Sequence, residues 1–134
     1  MTIATIMTAN VTTVSPEDDF RRAKEILDTE SFHHLLVEQH GKLVGIVSDR
    51  DLTRRIAGYL DDNNGNAYDN FQSKSLVADL MTTKILVVDR DTPIDAASIL
   101  LLANNISCLP IVNADYVIEG IVTWKDLLKY YVYR

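Results

Sequence analysis

A hydroxyl residue followed three positions later by an aspartate occurs twice in this chain, in matching surroundings. Gly45-Ile46-Val47-Ser48-Asp49-Arg50-Asp51-Leu52 recurs 75 residues later as Gly120-Ile121-Val122-Thr123-Trp124-Lys125-Asp126-Leu127, with five of the eight pairs identical. A duplicated apolar run would mean only that one core was built twice. A duplicated hydroxyl and carboxylate at fixed spacing offers the same chemistry twice. A carboxylate can accept two hydrogen bonds from a sugar diol, and the N–H groups of a helix beginning beside it favour phosphate. The same spacing also suits helix capping, being close to a capping box with Asp in place of Glu. The two uses are compatible, because the hydroxyl can cap while the carboxylate faces a cleft.

The repeat extends far upstream of this motif. At a shift of 74, Met7-Thr8 matches Met81-Thr82, Val14 matches Val88, Ala23 matches Ala97, Leu27 matches Leu101, Leu35 matches Leu109 and Val37 matches Ile111. The change from 74 to 75 puts one extra residue into the second copy near Asn113 to Glu119. Two units are too few for a solenoid, and each is too short to bury a good core alone. The expectation is one module built from two halves.

Each copy reads β-α-β-β-α, which makes the fold class α/β. Val11 to Val14 and Ile85 to Val88 are short β-branched runs, and Ser15-Pro16-Glu17-Asp18 is a helix-start signal. Phe20, Ala23, Ile26 and Leu27 then recur at helical spacing, mirrored by Ile94, Ala97, Leu100 and Leu101. Leu35 to Val37, a turn at Gln39 to Lys42, and Leu43 to Val47 predict a hairpin too apolar to have a wet face. Cys108 to Val112 and Tyr116 to Val122 predict the second hairpin, and helices over Asp49 to Ala57 and Lys125 to Tyr131 close the copies. The division is residues 1–57 for the first repeat, a polar linker over 58–75, and 76–134 for the second.

Composition narrows the function classes. The chain has 134 residues, 47% of them apolar and 24% charged, with a net charge of -6 that would repel nucleic acid and anionic membranes. Neither a membrane span nor the basic flank of a signal peptide is legible, so a cytoplasmic location is expected. Cys108 is the only cysteine, which rules out an internal disulfide or a cysteine-cluster metal site. No nucleophile–base set or Walker-type loop is visible, so the chain does not read as an enzyme, and no cofactor is required.

Together these residues carry a family resemblance. Met-Thr before the first strand, the element order, Leu109-Pro110-Ile111-Val112, and Gly-apolar-apolar-Ser/Thr-x-x-Asp closing both copies resemble a tandem pair of cystathionine-β-synthase (CBS) domains, the Bateman module. The resemblance implies two repeats related by a pseudo-twofold axis, with clefts that commonly take adenosine-containing ligands such as AMP, ADP or ATP. It also implies a regulatory role through a homodimer or a protein target. By position, Asp51 and Asp126 would hold ribose, with Ser48 and Thr123 beside them and Arg50 and Lys125 near phosphate. Thr123 and Asp126 would face Asn10, Val11, Thr12, Phe32, His33 and His34; Ser48 and Asp51 would face Lys84, Ile85, Leu86, Ile106, Ser107 and Cys108. His33 and His34 stand where relatives place basic residues against phosphate. Leu36 stands where the family usually has proline, as the second copy does at Pro110.

Plainer roles compete for several of these residues. Adjacent histidines on a strand point to opposite faces, so at most one side chain should reach a cleft. The other would pack or face solvent, and a metal site would need a third ligand. Basic residues at a helix start are often merely solvated. Tyr130, Tyr131 and Tyr133 suit core packing or a dimer surface better than a stacking platform. An interaction module with vestigial clefts is the alternative function.

Overall fold

The structure is a computed structural model, and it describes residues 1–30, 33–56 and 75–134. Phe32, Ala57 at the expected end of the first closing helix, and residues 58–74 of the 58–75 linker lie outside the described residues. The chain forms two compact units. The first comprises Thr12–His40 and Val44–Ile85, the second Met1–Val11, Gly41–Leu43 and Leu86–Arg134.

The first unit contains β1 (Thr13–Val14), α1 (Phe20–Glu30), β2 (His34–Gln39), most of β3 (Lys42–Ser48), α2 (Asp49–Ile56) and a short α3 (Val77–Leu80). Its strands run in the order β1-β2-β3, with β1 parallel to β2 in the register Thr13↔Leu36 and Val14↔Val37. A parallel neighbour needs a crossover, and the amphipathic α1 supplies it, burying Phe20, Ala23, Ile26 and Leu27. The β2–β3 turn takes positive φ at His40 (54°) and Gly41 (78°), the pattern of the two-residue hairpin turn that glycine tolerates best.

The second unit repeats this plan with α4 (Ile94–Asn104), β4 (Cys108–Val112), β5 (Ile118–Thr123) and α5 (Trp124–Tyr133). β4 and β5 are antiparallel, from Cys108↔Thr123 to Ile111↔Gly120. All five residues of β4 are buried; in the first hairpin, predicted to lack a wet face, Leu35 to Val37 are buried but β3 alternates buried and half-buried residues.

Each sheet is completed by a segment from the other sequence repeat. Thr82 exchanges backbone hydrogen bonds of 3.0 and 2.9 Å with Ile46 in the first unit. In the second, Thr8 exchanges bonds of 2.9 and 3.0 Å with Ile121. The swap is reciprocal, and the cores follow it. Val77 and Leu80 pack with α1 and β2, whereas Ile3 packs with α4, β4 and β5. It also explains the glycine of each motif. A Cβ on Gly45 would collide with the Met81 side chain, and one on Gly120 would lie 2.8 Å from the Thr8 carbonyl oxygen. The Met-Thr pair and the motif glycine are therefore packing partners across the repeats.

Two local expectations are corrected. Helix α1 begins at Phe20, not at Pro16. The Ser15 N–H donates to the Asp18 carboxylate at 2.8 Å, closing a turn there, and Asp19 accepts the Arg22 N–H at 2.9 Å as the actual cap. Competition between short polar side chains and the helical backbone moves the start. In the second copy the run Ile85 to Val88 makes only a single parallel bridge, Val88↔Ile111.

Candidate functional site

Within the first unit the motif forms the junction of β3 and α2. Ser48 ends the strand, and its hydroxyl accepts the Asp51 N–H at 3.0 Å. This caps one of the unpaired donors of the first helical turn. Ser48 and Asp51 are both half-buried. Among the described residues, the Asp51 carboxylate accepts no hydrogen bond. Arg50 is exposed. The junction is pinned to the start of β2: the Asp49 N–H donates to the His33 carbonyl at 3.0 Å, and the His33 Nδ1 lies 2.9 Å from the Asp49 carboxylate.

The two histidines diverge as strand alternation requires. His33 is exposed and turned onto Asp49, while His34 is half-buried at the start of β2. Burial lowers the His34 pKa, partly offset by the Asp49 carboxylate. Desolvation disfavours the charged imidazole, so His34 is neutral at neutral pH. Of the remaining candidates in this unit, Thr12 and Ile85 are half-buried and Lys84 is exposed.

Within the second unit the junction of β5 and α5 is more tightly closed. Thr123 Oγ1 accepts the Asp126 N–H at 3.4 Å, and Asp126 Oδ2 accepts from the Thr123 N–H at 2.9 Å and the Thr123 hydroxyl at 3.1 Å. This is a complete capping box, as the spacing allowed. Asp126 remains half-buried, and its Oδ1 takes no part in the box. The pin also differs: the Trp124 N–H donates to the Ser107 carbonyl at 3.2 Å, and the Trp124 indole N–H to the Ile106 carbonyl at 3.2 Å.

The structure thus brings Ile106, Ser107 and Cys108 to the junction of their own copy. Asn10, Leu86, Ser107 and Lys125 are exposed, and Val11 and Ile106 are half-buried. Cys108 and Pro110 are buried; the Pro110 carbonyl accepts the Val88 N–H at 3.1 Å. Burial pushes the Cys108 thiol up to about 12. Two residues at these junctions went unmarked in the sequence, Asp49 and Trp124. They occupy the one motif position where the copies differ completely, and that divergence was the available signal.

No polar or charged side chain is buried among the described residues. Nor do three His, Cys, Asp or Glu side chains gather there as a metal site. The chemistry on offer is acceptance of hydrogen bonds by half-exposed carboxylates at the starts of two helices.

The model of the CBS domain matches residues 3–58 and 77–133. The chain belongs to the CBS-domain family. CBSX2 of Arabidopsis thaliana, in a crystal structure with AMP, is 33% identical with a TM-score of 0.81, covering 98% of this chain and 96% of that one. The CBS domain pair of protein MJ0100, in complex with 5′-methylthioadenosine and S-adenosyl-L-methionine, is 26% identical with a TM-score of 0.82, covering 98% and 96%. The L-aspartate semialdehyde sulfurtransferase of Methanocaldococcus jannaschii is 31% identical over 108 residues, 80% of this chain. The chain spans only 18% of that enzyme's length. Among the described residues no helix is long and apolar enough to cross a membrane.

Proposed function

We propose that this CBS pair is a cytoplasmic regulatory module that binds AMP, ADP or ATP at its two Ser/Thr-x-x-Asp junctions without turning the ligand over. It signals by changing the geometry of a homodimer or of a protein target. The carrying observation is the half-exposed carboxylate of Asp51 and of Asp126, each at the N-terminus of a helix of eight or more residues. Such a carboxylate suits a ribose diol, and the neighbouring N–H groups suit a phosphate. The relatives solved with AMP and with S-adenosyl-L-methionine support an adenosine-containing ligand. Ser48 and Thr123 cap the helices and keep each Asp at its junction, while the exposed Arg50 and Lys125 supply charge for phosphate.

A ligand held only by the folded state raises its stability. Protein stripped of bound ligand should therefore show a raised Tm with AMP, ADP or ATP in a thermal-shift screen that also includes NAD and S-adenosylmethionine. A flat response to every adenosine ligand at millimolar concentration, repeated by calorimetry, rejects the reading. That outcome would favour the second reading, an association module with vestigial clefts, for which the exposed apolar side chains of α4 and α5 speak.

A further inference from the structure

The sulfur atoms of the chain belong to Cys108 and three methionines, Met1, Met7 and Met81. Cys108 is buried, and burial pushes its thiol up to about 12, so it stays protonated and is a poor target for oxidants. A thioether needs no ionisation to react. Met1 is 79% exposed, whereas Met7 and Met81 are half-buried.

The two half-buried sulfurs occupy equivalent places, each within its own unit. Met81 lies on Gly45 and Met7 on Gly120, the glycines that open the two hydroxyl–Asp motifs. A Cβ on Gly120 would lie 2.9 Å from the Met7 sulfur, and one on Gly45 would collide with that of Met81. Each methionine also packs on an apolar core, Met81 on that of α1 and β2, Met7 on that of α4, β4 and β5. The residue that follows, Thr82 or Thr8, is bonded through both its backbone groups to Ile46 or Ile121, two residues before Ser48 or Thr123. A sulfoxide oxygen has no good place here. Toward the glycine it meets backbone at contact distance. Toward the core it is a polar atom without a partner. Turning it to water swings the methionine out of both and pulls on the Thr82–Ile46 or Thr8–Ile121 bridge.

We propose that Met7 and Met81 are a matched pair of oxidation sites through which a hydroperoxide loosens the two hydroxyl–Asp junctions. With hydrogen peroxide, a sulfur lone pair attacks one peroxide oxygen, and the S–O bond forms as the O–O bond breaks. Sulfur is oxidised by two electrons; the departing hydroxide takes the proton of the transferred oxygen and leaves as water. Reductases return the sulfoxide to the thioether, so the change is reversible. The modification stands on the sulfur–glycine contacts alone, whereas its effect on ligand affinity rests on the adenine-nucleotide reading above.

The test treats the full chain, stripped of bound ligand, with millimolar hydrogen peroxide. Peptide mass spectrometry follows the oxygen gained at each methionine, and Tm is read on the same samples. Met1 should react first and leave Tm unchanged. Met7 and Met81 should react while circular dichroism still shows a folded chain, and each sulfoxide should lower Tm by roughly 5 °C. Methionine sulfoxide reductases acting on both epimers should restore it. The double variant Met7→Leu/Met81→Leu, which nearly conserves volume, should keep its Tm through the treatment. Should that variant fold poorly, wild type sampled at partial oxidation gives the same answer. AMP affinity should fall about tenfold in the oxidised, still folded chain. Met7 and Met81 that resist peroxide until urea unfolds the chain overturn the proposal. Their full oxidation with an unmoved Tm does so too, as does a Tm loss that persists in the leucine variant. A lowered Tm with unchanged AMP affinity overturns the coupling to the junctions. Protein that binds no adenine nucleotide before oxidation overturns the nucleotide reading, and the Tm arm then decides the oxidation sites by itself.

Discussion

At the second unit's junction the Asp126 carboxylate takes two hydrogen bonds from Thr123, whereas at the first the Asp51 carboxylate takes none from the described residues. One motif thus holds its acid in two ways. Asp126 is oriented before any ligand arrives, so little side-chain entropy remains to be lost on binding. Its Oδ2 is shared, however, leaving Oδ1 as the unshared oxygen. Asp51 can offer both oxygens to a diol but must give up rotamer freedom to do so. The pins differ in the same sense: a contact between an imidazole nitrogen and a carboxylate ties the first junction, and an indole N–H ties the second. A pair of sites built on one backbone plan can therefore differ in affinity and in pH response through single side chains.

The largest expected effects test the exchanged segments. Gly120→Ala places a methyl 2.8 Å from the Thr8 carbonyl, which is backbone and cannot step aside without loosening the Thr8–Ile121 bridge. It should cost about 3 kcal/mol in urea unfolding, the upper end for an overpacked site. Gly45→Ala meets the sulfur end of Met81, a flexible side chain, and should cost about 1 kcal/mol. Met81→Ala should relieve the clash in the Gly45→Ala background, while Met7→Ala should remove only the 2.9 Å contact with the Met7 sulfur and leave the backbone clash of Gly120→Ala, so its rescue should be smaller. Equal costs and equal rescue would erase this distinction between the units.

Ligand binding should show the next largest effect. Asp51→Ala and Asp126→Ala each remove hydrogen bonds to a charged acceptor, worth roughly 1.5–3 kcal/mol, or about one to two decades in Kd for AMP or ADP. Calorimetry should show each variant losing one site and keeping the other. Stability separates them. Asp126→Ala also opens the capping box and should lower unfolding stability by about 1 kcal/mol, whereas Asp51→Ala leaves the Ser48 cap in place and should cost a few tenths. Identical losses of stability in the two variants would mean that the boxed geometry of Asp126 contributes nothing.

Much of this plan is legible in the sequence because it is written in local signals. The hairpin turn at His40-Gly41, the apolar strand Cys108–Val112 and the hydroxyl–Asp junctions all depend on residues within a few positions of one another. What escapes is set by partners distant in sequence. The repeat marks Met7-Thr8 and Gly120 as recurring, yet nothing local says that they touch. The start of α1 escapes for a different reason. Three residues, Ser15, Asp18 and Asp19, can all cap, and the contest is decided by which N–H each reaches. The pins at Asp49 and Trp124 are unlike side chains in equivalent places, so a reading built on what the copies share passes over them.

The smallest effect near neutral pH, and the one that best separates the units, comes from a pair of equivalent positions. His34 and Cys108 lie 74 residues apart at the starts of β2 and β4, and burial shifts both toward the neutral form. Desolvation lowers His34, with Asp49 and Asp51 opposing that shift and His33 and Arg50 adding to it. As pH falls below about 6.5, the unfolded chain takes up this proton before the folded one does, so stability should fall on the acid side. The Cys108 thiol, pushed up to about 12 from an ordinary 9.0, has the opposite consequence. As pH rises past 9.0 the unfolded chain releases its proton first, and stability should fall on the alkaline side. Other groups titrate in both ranges, so the quantity to measure is the difference between wild type and variant. Unfolding free energies from pH 5 to pH 10 should show His34→Gln flattening the acid limb alone and Cys108→Ala the alkaline limb alone. A variant that shifts the whole curve without changing either slope would show that its side chain acts only through packing, and the unit concerned would then carry no pH response at that strand.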